Sequence, residues 1–128
     1  MTHKLLLDAG NTRVKMALMD ENGYLEPWQN VTYSELTQLP LPDSLDSVWL
    51  ACVSGKDSQQ ALIDWLQGVA VPVIEINSEA SAFGVTTSYR EAERLGVDRW
   101  LALVGAFDEQ PKATVIVDAG TAITVDWL

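Results

Sequence analysis

The sequence predicts an α/β fold with a mixed sheet, followed by the first hairpin of a second copy of the same domain. The stretch Leu5–Thr12 is an apolar strand that ends in an aspartate and a glycine turn, and Val115–Ala122 repeats this pattern near the other end. Between the two copies, strand-length apolar runs alternate with longer amphipathic segments typical of helices. Hydrophobic residues make up 48% and charged residues 20%, as in an ordinary folded domain.

The opening hairpin joins predicted strands over residues 4–9 and 12–19. Its connection is interpreted as Gly10–Asn11, because glycine adopts the positive φ that two-residue hairpin turns need, and Gly120–Thr121 is interpreted in the same way. Such a turn exposes backbone N–H groups that can bind phosphate oxygens, while a neighbouring aspartate can hold a magnesium ion. Two such hairpins facing each other would clamp a nucleotide.

The segment between the hairpins contains further predicted strands and helices. A third strand, Tyr24–Val31, completes an antiparallel meander, and Pro27 favours an edge position or a bulge for it. The later elements are a short helix within residues 33–39, a buried strand over 47–53, a helix from Asp57 that stops at Gly68, a short strand over 71–76 and a helix from Asp98 to about Glu109. Residues 77–97 are interpreted largely as a functional loop.

This element order is that of a ribonuclease-H-like domain beginning to repeat. The predicted domains are residues 1–111, an N-terminal ribonuclease-H-like domain, and residues 112–128, the first hairpin of an incomplete C-terminal copy. An isolated hairpin is marginal in water, so residues 113–128 are expected to pack on the preceding domain or on another chain. We therefore expect the chain to be part of a longer protein.

Composition excludes several functional classes. The 18 acidic side chains against 8 lysines and arginines argue against a nucleic-acid partner. Cys52 is the only cysteine and His3 the only histidine, which excludes a disulfide framework, a zinc site and histidine-based catalysis. No apolar run approaches the ~20 residues of a membrane span, so we predict a cytoplasmic protein without a membrane partner.

Three motifs occur in the order found in type III pantothenate kinases, and together they resemble that family: Asp8–Lys15, Gly96–Arg99 and Asp118–Asp126. The family has two ribonuclease-H-like (actin-like ATPase) domains and belongs to the acetate and sugar kinase, heat-shock chaperone and actin superfamily. The resemblance implies transfer of the γ-phosphate of ATP to the terminal hydroxyl of pantothenate, the first step of coenzyme A biosynthesis. It also implies a homodimer, magnesium, and potassium or ammonium.

The resemblance also implies roles for individual residues. Asp98 would be the general base that takes the proton of the substrate hydroxyl. The implied ATP-binding residues are Asp8, Ala9, Gly10, Asn11, Thr12, Arg13, Val14, Lys15 and Thr121. The implied substrate-binding residues are Tyr89, Gly96, Val97, Asp98 and Arg99. Asp118 would bind the monovalent cation, and Asp8 would bind magnesium, directly or through water.

Several of these residues also have a purely structural interpretation. Asp8 could cap its own turn, and Lys15 could be a solvated strand residue. Asp98 could be only a helix N-cap, and Arg99 could form a surface salt bridge to Glu91 or Glu93. The strand after Gly120 is expected to place Thr124 and Asp126 on the face opposite the core, with Ile123 and Val125 on the core side.

Three rival functions follow from the same motifs. One is a non-catalytic, nucleotide-binding regulatory module of the same superfamily, and the second is another small-molecule kinase or phosphatase. In the third, the fold is correct but the isolated chain of 128 residues is inactive.

Overall fold

The computed structural model describes residues 2–120 and 122–128, so Thr121, a predicted ATP contact, lies outside the described residues. The chain divides into two compact units, Met1–Ile76 and Asn77–Leu128. The elements of the first unit are β1 (His3–Ala9), β2 (Arg13–Met19), β3 (Leu25–Thr32), α1 (Tyr33–Leu36), β4 (Leu45–Cys52), α2 (Lys56–Leu66) and β5 (Val73–Glu75). The predicted domain boundary between residues 111 and 112 stays a prediction.

The first unit is built on a five-stranded mixed sheet in the order β3-β2-β1-β4-β5. β1 pairs antiparallel with β2 and β2 antiparallel with β3, whereas β4 runs parallel to β1 and β5 parallel to β4. The meander and the strand–helix–strand unit predicted from the sequence are therefore confirmed. This mixed α/β arrangement fits a domain of the actin-like ATPase type.

Pro27 has both properties that the sequence favoured. β3 is an edge strand, and its pairing with β2 shifts register between Met16 and Ala17, whose partners are Gln29 and Pro27. Proline has no N–H to give to a sheet, so it is tolerated where one side of the strand is open or the pairing is interrupted.

The core of the first unit lies under the meander. Alternate residues of β1 and β2 point into it, and α1 and α2 each contribute a leucine. Its buried members are Leu5, Leu7, Ala9, Val14, Met16, Val31, Leu36, Val48 and Leu62. The first hairpin is thus anchored by apolar side chains along the length of both strands.

The second unit contains more regular structure than the sequence predicted. Its elements are β6 (Ser81–Ala82), β7 (Val85–Thr86), a 3₁₀ helix (Ala92–Arg94), α3 (Val97–Glu109), β8 (Val115–Ala119) and β9 (Ile123–Trp127). The segment interpreted as a loop thus includes a small hairpin, whose two turn residues Phe83 and Gly84 both have positive φ. None of the helices in the described residues is long and apolar enough to span a membrane.

The predicted positive φ of Gly10 and Gly120 is wrong. Neither glycine lies in the left-handed region. In the first hairpin the N–H of Gly10 donates to the carbonyl of Arg13 (3.0 Å), so Asn11 and Thr12 form the connection instead. Glycine sits beside the turn rather than within it, and at that place the backbone stays in the ordinary region.

The orientation predicted for β9 is also wrong. Ile123 and Val125 are 73% and 50% exposed, whereas Thr124 and Asp126 are half-buried. The second hairpin packs its other face, through Ile116, onto a small cluster of buried residues: Val85, Leu95, Trp100 and Leu103. A polar pair on that face, described below, places Asp126 on the inner side.

Candidate functional site

Asp8 lies near the C-terminal end of β1, close to the turn of the first hairpin. It is exposed, and its cross-strand partner on β2 is Lys15. Directly opposed residues on paired strands have Cβ atoms about 5 Å apart. The hairpin therefore presents a carboxylate and an ammonium side by side, next to the exposed turn residues Asn11 and Thr12.

The other predicted ATP contacts have different environments. Ala9 and Val14 are fully buried and pair with each other, so only their backbone atoms can face a ligand. Arg13 is held on the sheet, because its Nε donates to the side-chain oxygen of Asn30 (2.8 Å) and its Nη2 to the Asn30 carbonyl (2.9 Å).

Tyr33 anchors the first turn and was missed by the sequence reasoning. Its hydroxyl donates a hydrogen bond to the carbonyl of Gly10. Burial raises the pKa of the Tyr33 phenol, outweighing a hydrogen bond with Ser54 that acts in the opposite direction. No motif marks this tyrosine in the sequence, because the contact joins the turn after β1 to a residue 23 positions later.

The start of α3 carries the second motif. Gly96 is the N-cap residue, Val97 is the first helical residue and is buried, and Asp98 follows it in the first turn. The prediction of Asp98 as the N-cap is thus off by two positions. Its Oδ1 accepts a hydrogen bond from the Arg99 N–H (2.9 Å), and it is half-buried. A carboxylate there is stabilised by the positive end of the helix dipole.

Arg99 forms an ion pair across the second unit with Asp126. The Arg99 Nε lies 2.9 Å from one carboxylate oxygen of Asp126, and Nη2 lies 2.5 Å from the other. These hydrogen bonds lower the pKa of Asp126 and raise that of Arg99. The structural interpretation of Arg99 as the partner of Glu91 or Glu93 is therefore wrong. Glu91 pairs with Arg94 instead. Asp126 is therefore not a solvent-facing strand residue.

A cavity of about 740 Å³ lies in the second unit beside this pair. The predicted substrate residues Tyr89 and Arg99 both line it, together with Asp126. Its apolar wall includes Leu95, Leu103, Phe107 and Trp127. Asp98, Val97 and Gly96 are not among its lining residues. The structure therefore brings together two of the five predicted substrate residues, and Asp98 is adjacent to one of them in the chain.

Gly84 lines the cavity and is a second residue that the sequence reasoning missed. Its φ is +81°, and a Cβ at this position would lie 2.6 Å from Cε1 of Phe107. The turn therefore has both backbone and steric reasons to contain glycine. The available signal for this hairpin was Gly84 itself, since glycine adopts the positive φ that a two-residue turn needs.

The predicted metal ligands can be compared with the chemistry of the two ions. No group of three or more acidic, histidine or cysteine side chains that could hold a metal occurs among residues 2–120 and 122–128. Asp8 can hold magnesium without a further protein ligand, since this ion is commonly bound by one carboxylate plus phosphate oxygens and water. Asp118 is exposed near the end of β8, with Thr124 as its cross-strand partner.

The chain matches the sequence model of a protein family over nearly its whole length. The sequence model of the family "Type III pantothenate kinase" matches residues 4–128. The chain belongs to this family.

Similar proteins agree with this assignment. The type III pantothenate kinase of Laribacter hongkongensis is 39% identical, with 97% of this chain and 52% of that protein aligned. That of Dechloromonas aromatica is 40% identical over 95% of this chain and 52% of its own length. That of Thiobacillus denitrificans is 34% identical over 98% and 51%. The chain spans about half the length of the curated relatives it matches.

Proposed function

We propose that the full-length protein is a cytoplasmic type III pantothenate kinase that transfers the γ-phosphate of ATP to pantothenate and yields phosphopantothenate. Membership of the family supports the reaction. The single structural observation that carries the substrate assignment is the cavity that Tyr89 and Arg99 line together. Its volume lies within the roughly 300–1,000 Å³ of small-molecule sites.

The charge of the cavity favours an anionic ligand. Among its lining residues the cations are Arg99 and Lys112, and the acidic one is Asp126. The lining is thus net positive in a chain whose formal net charge is -10. Pantothenate has one carboxylate, and the planar guanidinium of Arg99 suits it by forming two parallel hydrogen bonds. The apolar wall suits the aliphatic part of the substrate.

ATP is assigned to the first hairpin. Asp8, Lys15 and the exposed turn residues provide a carboxylate, an ammonium and backbone groups in one place. Lys15 would pair with a phosphate, and Asp8 would hold magnesium, directly or through water. The ion would supply positive charge that shields the phosphates. Thr121 is proposed as a further ATP contact by the resemblance alone.

Asp98 is proposed as the general base. The terminal hydroxyl oxygen of pantothenate forms a bond to the γ-phosphorus as the bond to the β,γ-bridging oxygen breaks, and ADP leaves. Asp98 orients the hydroxyl and accepts its proton late in this step, a role that a carboxylate can fill in phosphoryl transfer. Gly96 and Val97 would contact the substrate from the N-terminal end of α3.

Residues 112–128 are proposed as the first hairpin of a second ribonuclease-H-like domain, with Asp118 as the ligand of potassium or ammonium. The support is the exposed apolar face of β8 and β9. Val115, Val117 and Trp127 on this face are 66%, 63% and 75% exposed. Large contiguous apolar patches mark surfaces that another part of a protein covers. The homodimer remains part of the proposal through family membership.

The test is the substitution Asp98→Asn in the full-length gene product. We expect turnover to fall by about 100-fold to 10,000-fold, because a general base is lost, while the affinity for ATP is retained. Pantothenate-dependent ADP formation measures the first quantity and titration calorimetry the second. Asp108→Asn, on the exposed side of the same helix, is the matched control.

Two outcomes would contradict the proposal at different points. Unchanged turnover in Asp98→Asn would exclude the general-base role. Absence of pantothenate-dependent ADP formation in the unsubstituted protein would exclude the reaction itself and favour a nucleotide-binding module.

A further inference from the structure

The Arg99–Asp126 pair uses one particular edge of the guanidinium. A guanidinium has five N–H groups, and Asp126 accepts from Nε and from Nη2, which form its side edge. The end edge consists of Nη1 and the second N–H of Nη2. No hydrogen bond from Nη1 occurs within the described part of the chain. The end edge is therefore available to a second carboxylate.

Both side chains of the pair are partly buried and keep some contact with solvent. The side chain of Arg99 is 31% exposed and that of Asp126 is 16% exposed, and both line the cavity. An arginine side chain has many rotamers, and a fixed partner restricts them before a ligand arrives. Asp126, 27 positions from Arg99 in the chain, thus holds the guanidinium in one orientation relative to the cavity.

We propose that Asp126 is a positioning residue that fixes the end edge of Arg99 toward the carboxylate of the substrate. This inference rests on the proposed function and adds to it the residue on which carboxylate selectivity depends. Asp126 does not touch the substrate in this scheme. Lys112 lines the same cavity, so the lining provides a second cation besides the guanidinium that the two carboxylates would share.

The alternative is competition. If Asp126 occupied the position that the substrate carboxylate must take, removing it would strengthen substrate binding. The geometry argues against this, because a carboxylate bound to the end edge meets different N–H groups from those that Asp126 uses. The two schemes predict opposite signs for the same substitution.

The experiment compares two substrates with the full-length protein: pantothenate, and pantothenol, in which a hydroxymethyl group replaces the carboxylate. We expect Asp126→Asn to raise KM for pantothenate about tenfold, since an ordered, charge-assisted contact is lost. KM for pantothenol and kcat for both substrates stay within about twofold, because the alcohol does not need the guanidinium edge. Asp126→Glu restores part of the preference, and Asp108→Asn leaves it unchanged.

The possible results separate the two proposals. Pantothenate binding that becomes tighter in Asp126→Asn, or an equal rise in KM for both substrates, overturns the positioning role. No phosphorylation of either substrate by the unsubstituted protein overturns the proposed function instead. If Asp126→Asn does not fold, NMR of the arginine side chain in the unsubstituted protein decides. The Arg99 Nε–H signal should stay in its paired position on adding pantothenate, and its release would show competition.

Discussion

The two hairpins share a sequence pattern but differ in what surrounds them. β1 is bordered by β2 on one side and by β4 on the other, in a five-stranded sheet. β8 and β9 form a two-stranded sheet of their own within the described residues. Leu5 and Val14 of the first hairpin are fully buried, whereas Val117 and Ile123 of the second are more than half exposed.

The difference shows that a local motif specifies a turn but not the tertiary contacts that hold the turn in place. Each hairpin places an aspartate near the end of its first strand, at Asp8 and at Asp118. The energy that holds that aspartate in place comes from elsewhere: from apolar packing in the first hairpin, and from the contacts of Ile116 and Asp126 with their own unit in the second.

The largest effect should come from truncating matched four-carbon side chains. We expect Leu5→Ala to destabilise the first unit by about 2–5 kcal/mol, because it leaves a cavity in a packed core. Ile123→Ala should change the stability of the second unit by less than about 1 kcal/mol, since the side chain is 73% exposed. Amide hydrogen exchange measures both, because it reports each unit separately.

The same pair of substitutions in the full-length protein sharpens the comparison. If a second domain covers the apolar face of β8 and β9, the cost of Ile123→Ala should rise toward that of Leu5→Ala. A cost that stays below about 1 kcal/mol in the full-length protein would falsify the proposed second domain over this hairpin.

A middle-sized effect is expected at the turns. Gly84→Ala forces a left-handed backbone, at about 1–2 kcal/mol, and pushes a Cβ against the Phe107 ring. Gly10→Ala should cost less than about 0.5 kcal/mol, because its φ is ordinary and its added Cβ would lie 3.4 Å from the nearest other atom, the Arg13 carbonyl oxygen. Thermal unfolding of the two variants tests this, and equal midpoints would contradict both the backbone cost and the steric cost assigned to Gly84→Ala.

The elements of the first unit could be predicted because local patterns determine them. The alternation in β1 and β2, and the effect of Pro27 on β3, follow from side-chain period and the missing N–H. The glycine turns were predicted wrongly because the rule gives glycine a place in the turn. The backbone places Gly10 one step before it, where hydrogen bonding to Arg13 closes the loop.

The candidate site could be predicted only in part, for a physical reason. Family motifs indicated Tyr89 and Arg99, and both line the cavity. The partner of Arg99 could not be predicted, because Asp126 is 27 positions away and the buried face of β9 is decided by how the second hairpin packs on the rest of its own unit. The alternation of β9 fixes two faces but does not say which is inside. The hydrogen bond from Tyr33 to Gly10 could not be predicted either, because it also joins residues far apart in the chain.

The smallest effect concerns pH, and it distinguishes the two hairpins by the groups that tether them. The first is tethered by the neutral phenol of Tyr33, whose pKa is raised above its usual value of about 10 by burial. Its contribution is complete below the usual value and is lost as the pH rises through the raised pKa. The second is tethered by ionised Asp126, whose pKa is lowered from about 3.9 by Arg99. That contribution is complete above the usual value and is lost as the pH falls through the lowered pKa.

The two hairpins should therefore loosen at opposite ends of the pH range, each by about 1 kcal/mol. Amide exchange of residues beside each turn, followed from acid to alkaline pH, measures this. Tyr33→Phe should abolish the alkaline change in the first hairpin and leave the acid change in the second, and Asp126→Asn should do the reverse. If either substitution altered both changes, the hairpins would not be tethered independently. Independent changes, in contrast, would show that a polar contact of its own adds to the support of each hairpin.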